Sequence, residues 1–354
     1  MRPSRIAHMK IALLGAGGFI GSNLVDALLR ETTHELVGID REYDKLVEVL
    51  AAPGCVSALA RWQFHNADIR SDMALVHNVI RDADVVVDLI AHANPSMYVT
   101  RPIEVFDLNF TQNLEVARLC MLEKKWLIQF SSAEVYGKAR SEEPYLEDAS
   151  DSVFGPVNKQ RWIYAVGKQL LERVLYAHGE SGELHYTIVR PFNFLGRRID
   201  YLVPPGATGG PRVFPHFMSA LLTGGQIRLV DGGHARRAFL HIDDATAAFR
   251  TILDQPERTR NQIYNVGNPG NQLTMVELAH LMTELFEELT GKAPTSVIES
   301  MSGREFYGEG YEDGDRAPPN VSKMRALGWS PTRNMRDTVR DAMLYYLGDR
   351  AIVG

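Results

Sequence analysis

Cysteine is scarce. Cys55 and Cys120 are the only two in 354 residues, and they have no paired spacing. That excludes a disulfide scaffold and a thiolate zinc site, and it suits a reducing compartment. Long apolar runs are missing as well. No stretch approaches the ~20 residues that a membrane-crossing helix needs. The opening MRPSRIAHMK is short and basic, and the apolar run after it is broken by GAGG, unlike a secretory signal. Residues 1–8 are therefore expected to be a disordered leader, with Met9 as an alternative start. A positive surplus is also lacking, since the net charge is −6. General binding to nucleic acid or to anionic membranes is excluded on that ground, although a small basic pocket is not. No internal repeat is visible, and no His/Asp/Glu spacing suggests a metal. The chain reads as cytoplasmic, with neither nucleic acid nor membrane as a partner.

What is present is an ordinary globular composition, 45% hydrophobic and 23% charged. The first half alternates strand-like and helix-like segments. KIALLGA, ELVGID, VVVDLIAH, WLIQFSS and HYTIVRPFN read as buried strands, while IGSNLVDALLRE and YAVGKQLLERVLYAHGE have helical spacing. Strand then helix, repeated, predicts an α/β fold of Rossmann type: a doubly wound parallel sheet covered on both faces. The pattern breaks after Pro191. LVPPGATGGPRVFP reads as a loop, and QLTMVELAHLMTELFEEL mixes a short strand with a helix. The expected plan is a dinucleotide-binding domain over 9–190, with about 235–268 returning to it. A smaller α+β substrate domain takes 191–234 and 269–354.

ALLGAGGFIGSNL places Gly15, Gly18 and Gly21 between a strand and a helix. Glycines there permit a tight turn and close approach of a pyrophosphate, and the helix N-terminus offers free N–H groups. Phe19 and Ile20 lie between the last two glycines. Asp40 ends the second strand, where it can accept from both ribose hydroxyls. That favours NAD over NADP, with Arg41 beside it as the opposing signal. Asp68 and Ile69, in NADIR, follow the next strand and could hold an adenine.

YAVGK sets Tyr164 and Lys168 four apart on one helix face. A phenol is a poor base at neutral pH, and a nearby ammonium lowers its pKa. Lys168 could also hold a ribose hydroxyl. Ser132, in FSSAEVYG, ends a strand and could bind the same substrate hydroxyl. Together they form a base, its activator and an orienting group. Glu134 sits in the same motif, a carboxylate at the mouth of a buried strand. His92, in IAHAN, is a lone histidine of the sort that is more often structural than a ligand.

GAGGFIG, FSSAEVYG, YAVGK and RPFNFLG resemble the extended short-chain dehydrogenase/reductase family of nucleotide-sugar enzymes. GPVNKQRWIYAVGKQLLERV, DGGHARRAF, YNVGNPGN and FYGEGYEDGDRAPP look like its UDP-glucuronic acid decarboxylase group. Within that group they look most like the dehydrogenase domain of the bifunctional polymyxin-resistance enzyme and the UDP-apiose/UDP-xylose synthases. The resemblance implies an NAD-dependent enzyme acting on a UDP-sugar. UDP-glucuronic acid would be oxidised at C4 and would lose CO₂, leaving a UDP-4-keto-pentose, UDP-xylose or both. It also implies that Tyr98, Asn193, Arg212, Arg228, Arg237 and Tyr311 bind substrate, and that Arg316 lies near the sugar carboxylate. Arg316, or a water relayed by Glu134, would serve the proton returned to C5. In this family, dehydratases carry Asp-Glu before Val-Tyr-Gly, and simple 4-epimerases carry small residues. Decarboxylases carry Ser-Glu and apiose synthases Cys-Glu. Ala133-Glu134 therefore argues against a 4-epimerase and a dehydratase, and Ala133 departs from the other two patterns. UDP-apiose/UDP-xylose synthesis and 4-epimerisation remain the alternatives within the class. A non-catalytic dinucleotide sensor is the alternative outside it. Relatives commonly form homodimers through two helices, here expected near 111–124 and 164–178.

Overall fold

The computed structural model describes residues 8–204, 206–208, 210 and 212–348. Most of the leader expected over 1–8 lies outside them. Six strands lie in the first half: β1 (Lys10–Leu14), β2 (Glu35–Asp40), β3 (Trp62–Asn66), β4 (Val85–Asp88), β5 (Trp126–Phe130) and β6 (His185–Pro191). Six shorter ones follow: β7 (Asn193–Leu195), β8 (Gln226–Val230), β9 (Arg236–His241), β10 (Gln262–Val266), β11 (Gln272–Thr274) and β12 (Val297–Met301). Seven of them form one sheet in the order β3-β2-β1-β4-β5-β6-β10, parallel throughout. This is the Rossmann-type doubly wound sheet. Its strands are covered on both faces, so β4 and β5 are buried at every residue.

Alternation along the strands splits the core in two. Ile11 and Leu13 of β1 face one apolar cluster, and Ala12 and Leu14 face the other. Helices Phe19–Glu31 and Ile242–Leu253 pack together on the first face. Helices Met73–Asp82, Asn113–Leu122 and Ile163–Glu180 cover the second. Strand order reverses between β1 and β4, and ligands of such sheets bind outside the carboxyl ends of the strands at that crevice.

Two small sheets stand apart from the large one. β9 pairs parallel with β7 and antiparallel with β11, and β8 pairs parallel with β12. The return to the main sheet expected over 235–268 thus begins later than placed, at helix Ile242–Leu253, and ends in β10. Strand β9 has the continuous buried run of a core strand, but its hydrogen-bonding partners are β7 and β11. The loop expected over LVPPGATGGPRVFP also ends early, because Val213 starts helix Val213–Thr223 with Pro215 in its first turn, where no donor is lost. Helix Met275–Thr290 begins with a capping box in which Thr274 and Glu277 satisfy each other's backbone N–H groups.

One buried polar network crosses the scaffold below the site. Arg190 on β6 donates from Nη2 to Glu172 Oε2 at 2.6 Å, on helix Ile163–Glu180. Its Nη1 donates to the Tyr136 hydroxyl at 2.8 Å. That hydroxyl donates in turn to Asn265 Oδ1 of β10 at 2.8 Å. The tyrosine of FSSAEVYG is therefore a structural tie, stacked on Tyr145 at 4.3 Å. An Arg190→Met variant leaves the Glu172 carboxylate buried and unpaired, which costs about 3–5 kcal/mol. Urea unfolding is expected to show a lower midpoint and an unfolding free energy lower by that amount, and an unchanged midpoint would contradict the assignment.

Candidate active site

The loop after β1 is shaped by three glycines, of which the sequence reading named two. Gly15 takes φ +89°, a left-handed conformation that other residues adopt at a cost. A Cβ on Gly21 would meet the Gly15 carbonyl oxygen at 2.1 Å, and one on Gly17 would meet the Glu42 carbonyl at 1.8 Å. Gly18 has no such conflict. It caps helix Phe19–Glu31, whose first turn carries no acidic residue and no side-chain cap, so its N–H groups are free for an anion. Asp40 ends β2 and accepts from the Gly17 N–H at 2.9 Å and the Glu42 N–H at 3.1 Å. Burial raises its pKa against those bonds. Asp68 pairs with Arg70 at 2.6 Å and Arg41 at 3.5 Å, and the Arg70 hydrogen bond holds it well below the usual carboxylate range. Arg41 is thereby partly neutralised. Ile69 is buried. A glycine turn, an anion-ready helix end and a strand-end carboxylate fit a dinucleotide.

The end of β5 carries the second group. Ser132 caps a short turn and accepts from the Glu134 N–H at 3.1 Å. Tyr164 comes in from helix Ile163–Glu180, stacked on Tyr98 with ring centroids 4.6 Å apart. Burial pushes its phenol up to about 12, and a hydrogen bond with Ser132 opposes that rise. The sequence reading made Lys168 the group that lowers this pKa. Lys168 is not among the groups acting on Tyr164. Its ammonium donates to the Phe130 carbonyl at 3.0 Å, and burial lowers its own pKa to about 8.

Glu134 accepts at a single oxygen, Oε2, from Arg161 Nη1 at 2.6 Å and Arg316 Nη2 at 3.1 Å. Burial alone would raise its pKa, but Arg161, Arg316 and Arg237 outweigh burial and hold the carboxyl well below its usual range. Both Arg161 and Arg316 have side chains only 5% exposed. They lie over the Trp162 ring at 4.5 and 5.4 Å, and each has a buried Nε without a partner. Buried donors are normally satisfied, so each Nε calls for a partner such as a ligand or an ordered water.

These groups line one cleft of about 270 Å³. Its wall holds Ser132, Glu134, Tyr164 and Arg316, together with Tyr98, Asn193, Arg212, Arg228, Arg237 and Tyr311. Phe19 and Ile20 bring the end of the first helix to the same cleft. Arg212 lies over the Phe19 ring at 5.1 Å and is fixed by Asp200, so the glycine-turn helix and a basic side chain of the cleft touch. Arg237 is paired with Asp313. Among the described residues Arg228 donates to the Gly206 and Ala207 carbonyls and to Gln226. Five arginines around the cleft face three carboxylates, Glu134, Asp200 and Asp313, which leaves a positive excess suited to an anionic ligand. Asn193 donates to the Ala238 carbonyl at 3.2 Å, and Tyr311 stacks on Tyr307.

Lys168, Gly15, Gly18, Gly21, Asp40, Asp68 and Ile69 stand outside the cleft wall, along the carboxyl ends of the strands. Arg161, Tyr307, Asp313 and Gly17 were missed. Arg161 had a signal, since it lies inside the quoted KQRWIYAVGK one helical turn before Tyr164. Among the described residues no group of three or more His, Cys, Asp and Glu could hold a metal ion. No helix there is long and apolar enough to cross a membrane. A Gly21→Ala change forces the turn apart at the Gly15 carbonyl. It is expected to abolish the rise in melting temperature that NAD⁺ gives the wild type, and a retained rise would contradict this geometry.

Comparison with known proteins agrees with the geometry. The model of the NAD dependent epimerase/dehydratase family matches residues 11–267. The chain is 40% identical over 360 residues to UDP-D-apiose/UDP-D-xylose synthase 2 of Arabidopsis thaliana, covering 96% of this chain and 92% of that one. It is 38% identical to UDP-D-apiose/UDP-D-xylose synthase of Oryza sativa subsp. japonica, covering 96% and 89%. Among solved structures, the PbgP3 protein of Burkholderia pseudomallei superposes with a TM-score of 0.84 at 33% identity, over 96% of both chains. The UDP-glucuronic acid 4-epimerase of Bacillus cereus, solved with UDP-glucuronic acid and NAD, shares the fold with a TM-score of 0.74 at 22% identity, over 95% and 98%. With its glycine turn, its Tyr-x-x-x-Lys helix and these relatives, the chain belongs to the NAD-dependent epimerase/dehydratase family of enzymes.

Proposed function

We propose that the protein decarboxylates UDP-glucuronic acid by way of a 4-keto intermediate. The observation that carries this reading is the Glu134 carboxylate shared by two buried guanidinium groups in the cleft that holds Tyr164. Two cations around one anion leave a net positive charge and two unused Nε–H donors, which suits the carboxylate of a sugar acid. The relatives named as UDP-apiose/UDP-xylose synthases support a UDP-sugar as substrate.

In this reading Arg212, Arg228 and Arg237 bind the diphosphate end, and Tyr98, Asn193 and Tyr311 pack on the sugar nucleotide. The glycine turn and Asp40 hold NAD, Asp68 and Ile69 flank its adenine, and Lys168 holds a ribose hydroxyl. NAD⁺ supplies the hydride acceptor for the carbon bearing the 4-hydroxyl. In its phenolate form Tyr164 accepts the proton of that hydroxyl while Ser132 orients it. The resulting β-keto acid loses CO₂, because the electrons of the breaking C–C bond flow into the 4-ketone and leave an enolate. Arg161 and Arg316 stabilise the carboxylate before that step and the enolate after it. Glu134 stays ionised at neutral pH, so it acts as the anchor of both arginines and as an acceptor for a water, and not as an acid. The proton returned to C5 comes through that water or from the Arg316 side.

The relatives favour one second reading, in which part of the flux passes to UDP-apiose. Ala133, on the cleft wall, offers neither a hydroxyl nor a thiol to that branch. Leu122, Val166 and Leu170 are exposed on helices Asn113–Leu122 and Ile163–Glu180, which supports a homodimer through those helices. Two free, buried thiols suit a cytoplasmic protein.

Incubation with UDP-glucuronic acid and NAD⁺, followed by NMR and CO₂ capture, is expected to give CO₂ with UDP-4-keto-pentose, UDP-xylose or UDP-apiose. A galacturonate product without CO₂ would overturn the decarboxylase reading. Tyr164→Phe is expected to lose at least ~10²-fold in turnover, the scale of a positioned acid–base group. A variant that keeps its biological role without turnover would make the chain a dinucleotide sensor.

A further inference from the structure

Lys168 is buried to 1% exposure, and its ammonium has three donors. Among the described residues only the bond to the Phe130 carbonyl is filled. On the same face of the sheet Asp88, the last residue of β4, is fully buried. Its Oδ1 accepts from the Ile90 N–H at 3.0 Å, while its Oδ2 has no partner. Register places Asp88 against Gln129 on β5, whose side-chain oxygen is likewise buried and unpartnered. Around them lie Val86, Leu127, Val116, Cys120 and Leu171, all apolar or neutral.

Register sets Asp88 beside Gln129, next to the Phe130 carbonyl that holds the ammonium, so a carboxylate and an ammonium share one apolar layer, with no ion pair between them among the described residues. Stability does not call for this. A well-packed apolar pair there would be as stable or more so. Buried ionisable pairs at the edge of a site are where function shifts pKa values. Asp88 also continues the backbone that shapes the glycine turn, since a Cβ on Gly15 would meet Leu89 and Ile90.

We propose that Asp88 is a positioning residue for Lys168: its buried carboxylate keeps the ammonium charged and seated at the Phe130 carbonyl, ready for a cofactor hydroxyl. The inference rests on the assignment of Lys168 to the cofactor and is independent of the sugar or product. The charges act on one another in the right sense. Burial lowers the Lys168 pKa to about 8, and Asp88 and then Glu172 oppose that fall. Burial raises the Asp88 pKa to about 6, and Lys168 opposes it. The other titratable groups nearby are accounted for. Glu172 lies on the Lys168 helix and is paired with Arg190 of β6. Tyr164 lies one turn earlier, and the Cys120 thiol, on helix Asn113–Leu122, is driven up by burial and by Asp88. Without the Asp88 charge, the Lys168 pKa would fall further below its ordinary value.

The test uses full-length protein labelled with [¹³Cε]lysine, with the Lys168 signal assigned by its loss in Lys168→Arg. In the wild type without added ligand, the signal is expected to titrate near pH 8. A smaller inflection near pH 6 is expected as Asp88 takes up a proton. In Asp88→Asn the main midpoint is expected to fall by at least about one pH unit, the scale of a neighbouring-charge effect. The alkaline limb of NAD⁺ binding is expected to move with it. An unmoved midpoint in Asp88→Asn would overturn the proposal, as would a wild-type signal without the lower inflection. The second criterion needs no variant, so it decides the matter even if Asp88→Asn fails to fold. A purely structural Asp88 would lower the melting temperature and leave the Lys168 midpoint in place. If UDP-glucuronic acid proves not to be the substrate, both titrations still stand.

Discussion

One carboxylate organises the cleft. Glu134 holds Arg161 and Arg316 at a single oxygen, and the two guanidinium groups hold Glu134 ionised. Neither side of this arrangement is stable alone. A buried guanidinium without an anion carries a large desolvation cost, and so does a buried carboxylate without a cation. Their union brings together the turn after β5, the start of helix Ile163–Glu180 and the loop before residue 320, three segments far apart in sequence. Trp162 lies against both guanidinium groups and fixes their planes. The result is a wall with one surplus positive charge facing the place where Tyr164 and Ser132 meet.

The remainder of the scaffold serves to present that wall beside a dinucleotide. The parallel sheet ends all its strands on one edge, so the glycine turn, Asp40, Asp88 and Ser132 share that edge although they come from four strands. The small sheets and the loop of Tyr311 and Asp313 close the other side of the cleft. The Arg190–Glu172 pair and the Tyr136–Asn265 bond tie β6, β10 and the Tyr164 helix into one rigid base. Contact between Arg212 and Phe19 then links the glycine-turn helix to the cleft wall.

Much of this was legible in the sequence because it rests on local rules. The buried runs VVVD and WLIQF announce parallel strands, and the glycine spacing announces the turn. Ser132, Glu134 and Tyr164 could be named from their motifs and Arg316 from the family resemblance, and they meet in one cleft. What escaped depends on pairing across the chain. Arg161 is unremarkable until Glu134 is placed against it, 27 positions away. Strand β9 has the pattern of any core strand, and only its partners show that it lies outside the main sheet. Lys168 lies on the same helix face as Tyr164, yet it turns to the Phe130 carbonyl because that acceptor is buried beside it. Spacing gives the face of a helix and not the partner a long side chain selects.

The most direct test of the Glu134 arrangement is a calorimetric comparison of UDP-glucuronic acid with UDP-xylose, which lacks the carboxylate, on NAD-loaded wild type and Arg316→Met. The account predicts that the wild type prefers the acid and that the variant loses at least about tenfold of that preference, the value of one charge-assisted contact. Equal preference in the two proteins would mean that the sugar carboxylate is held elsewhere, and it would contradict the account.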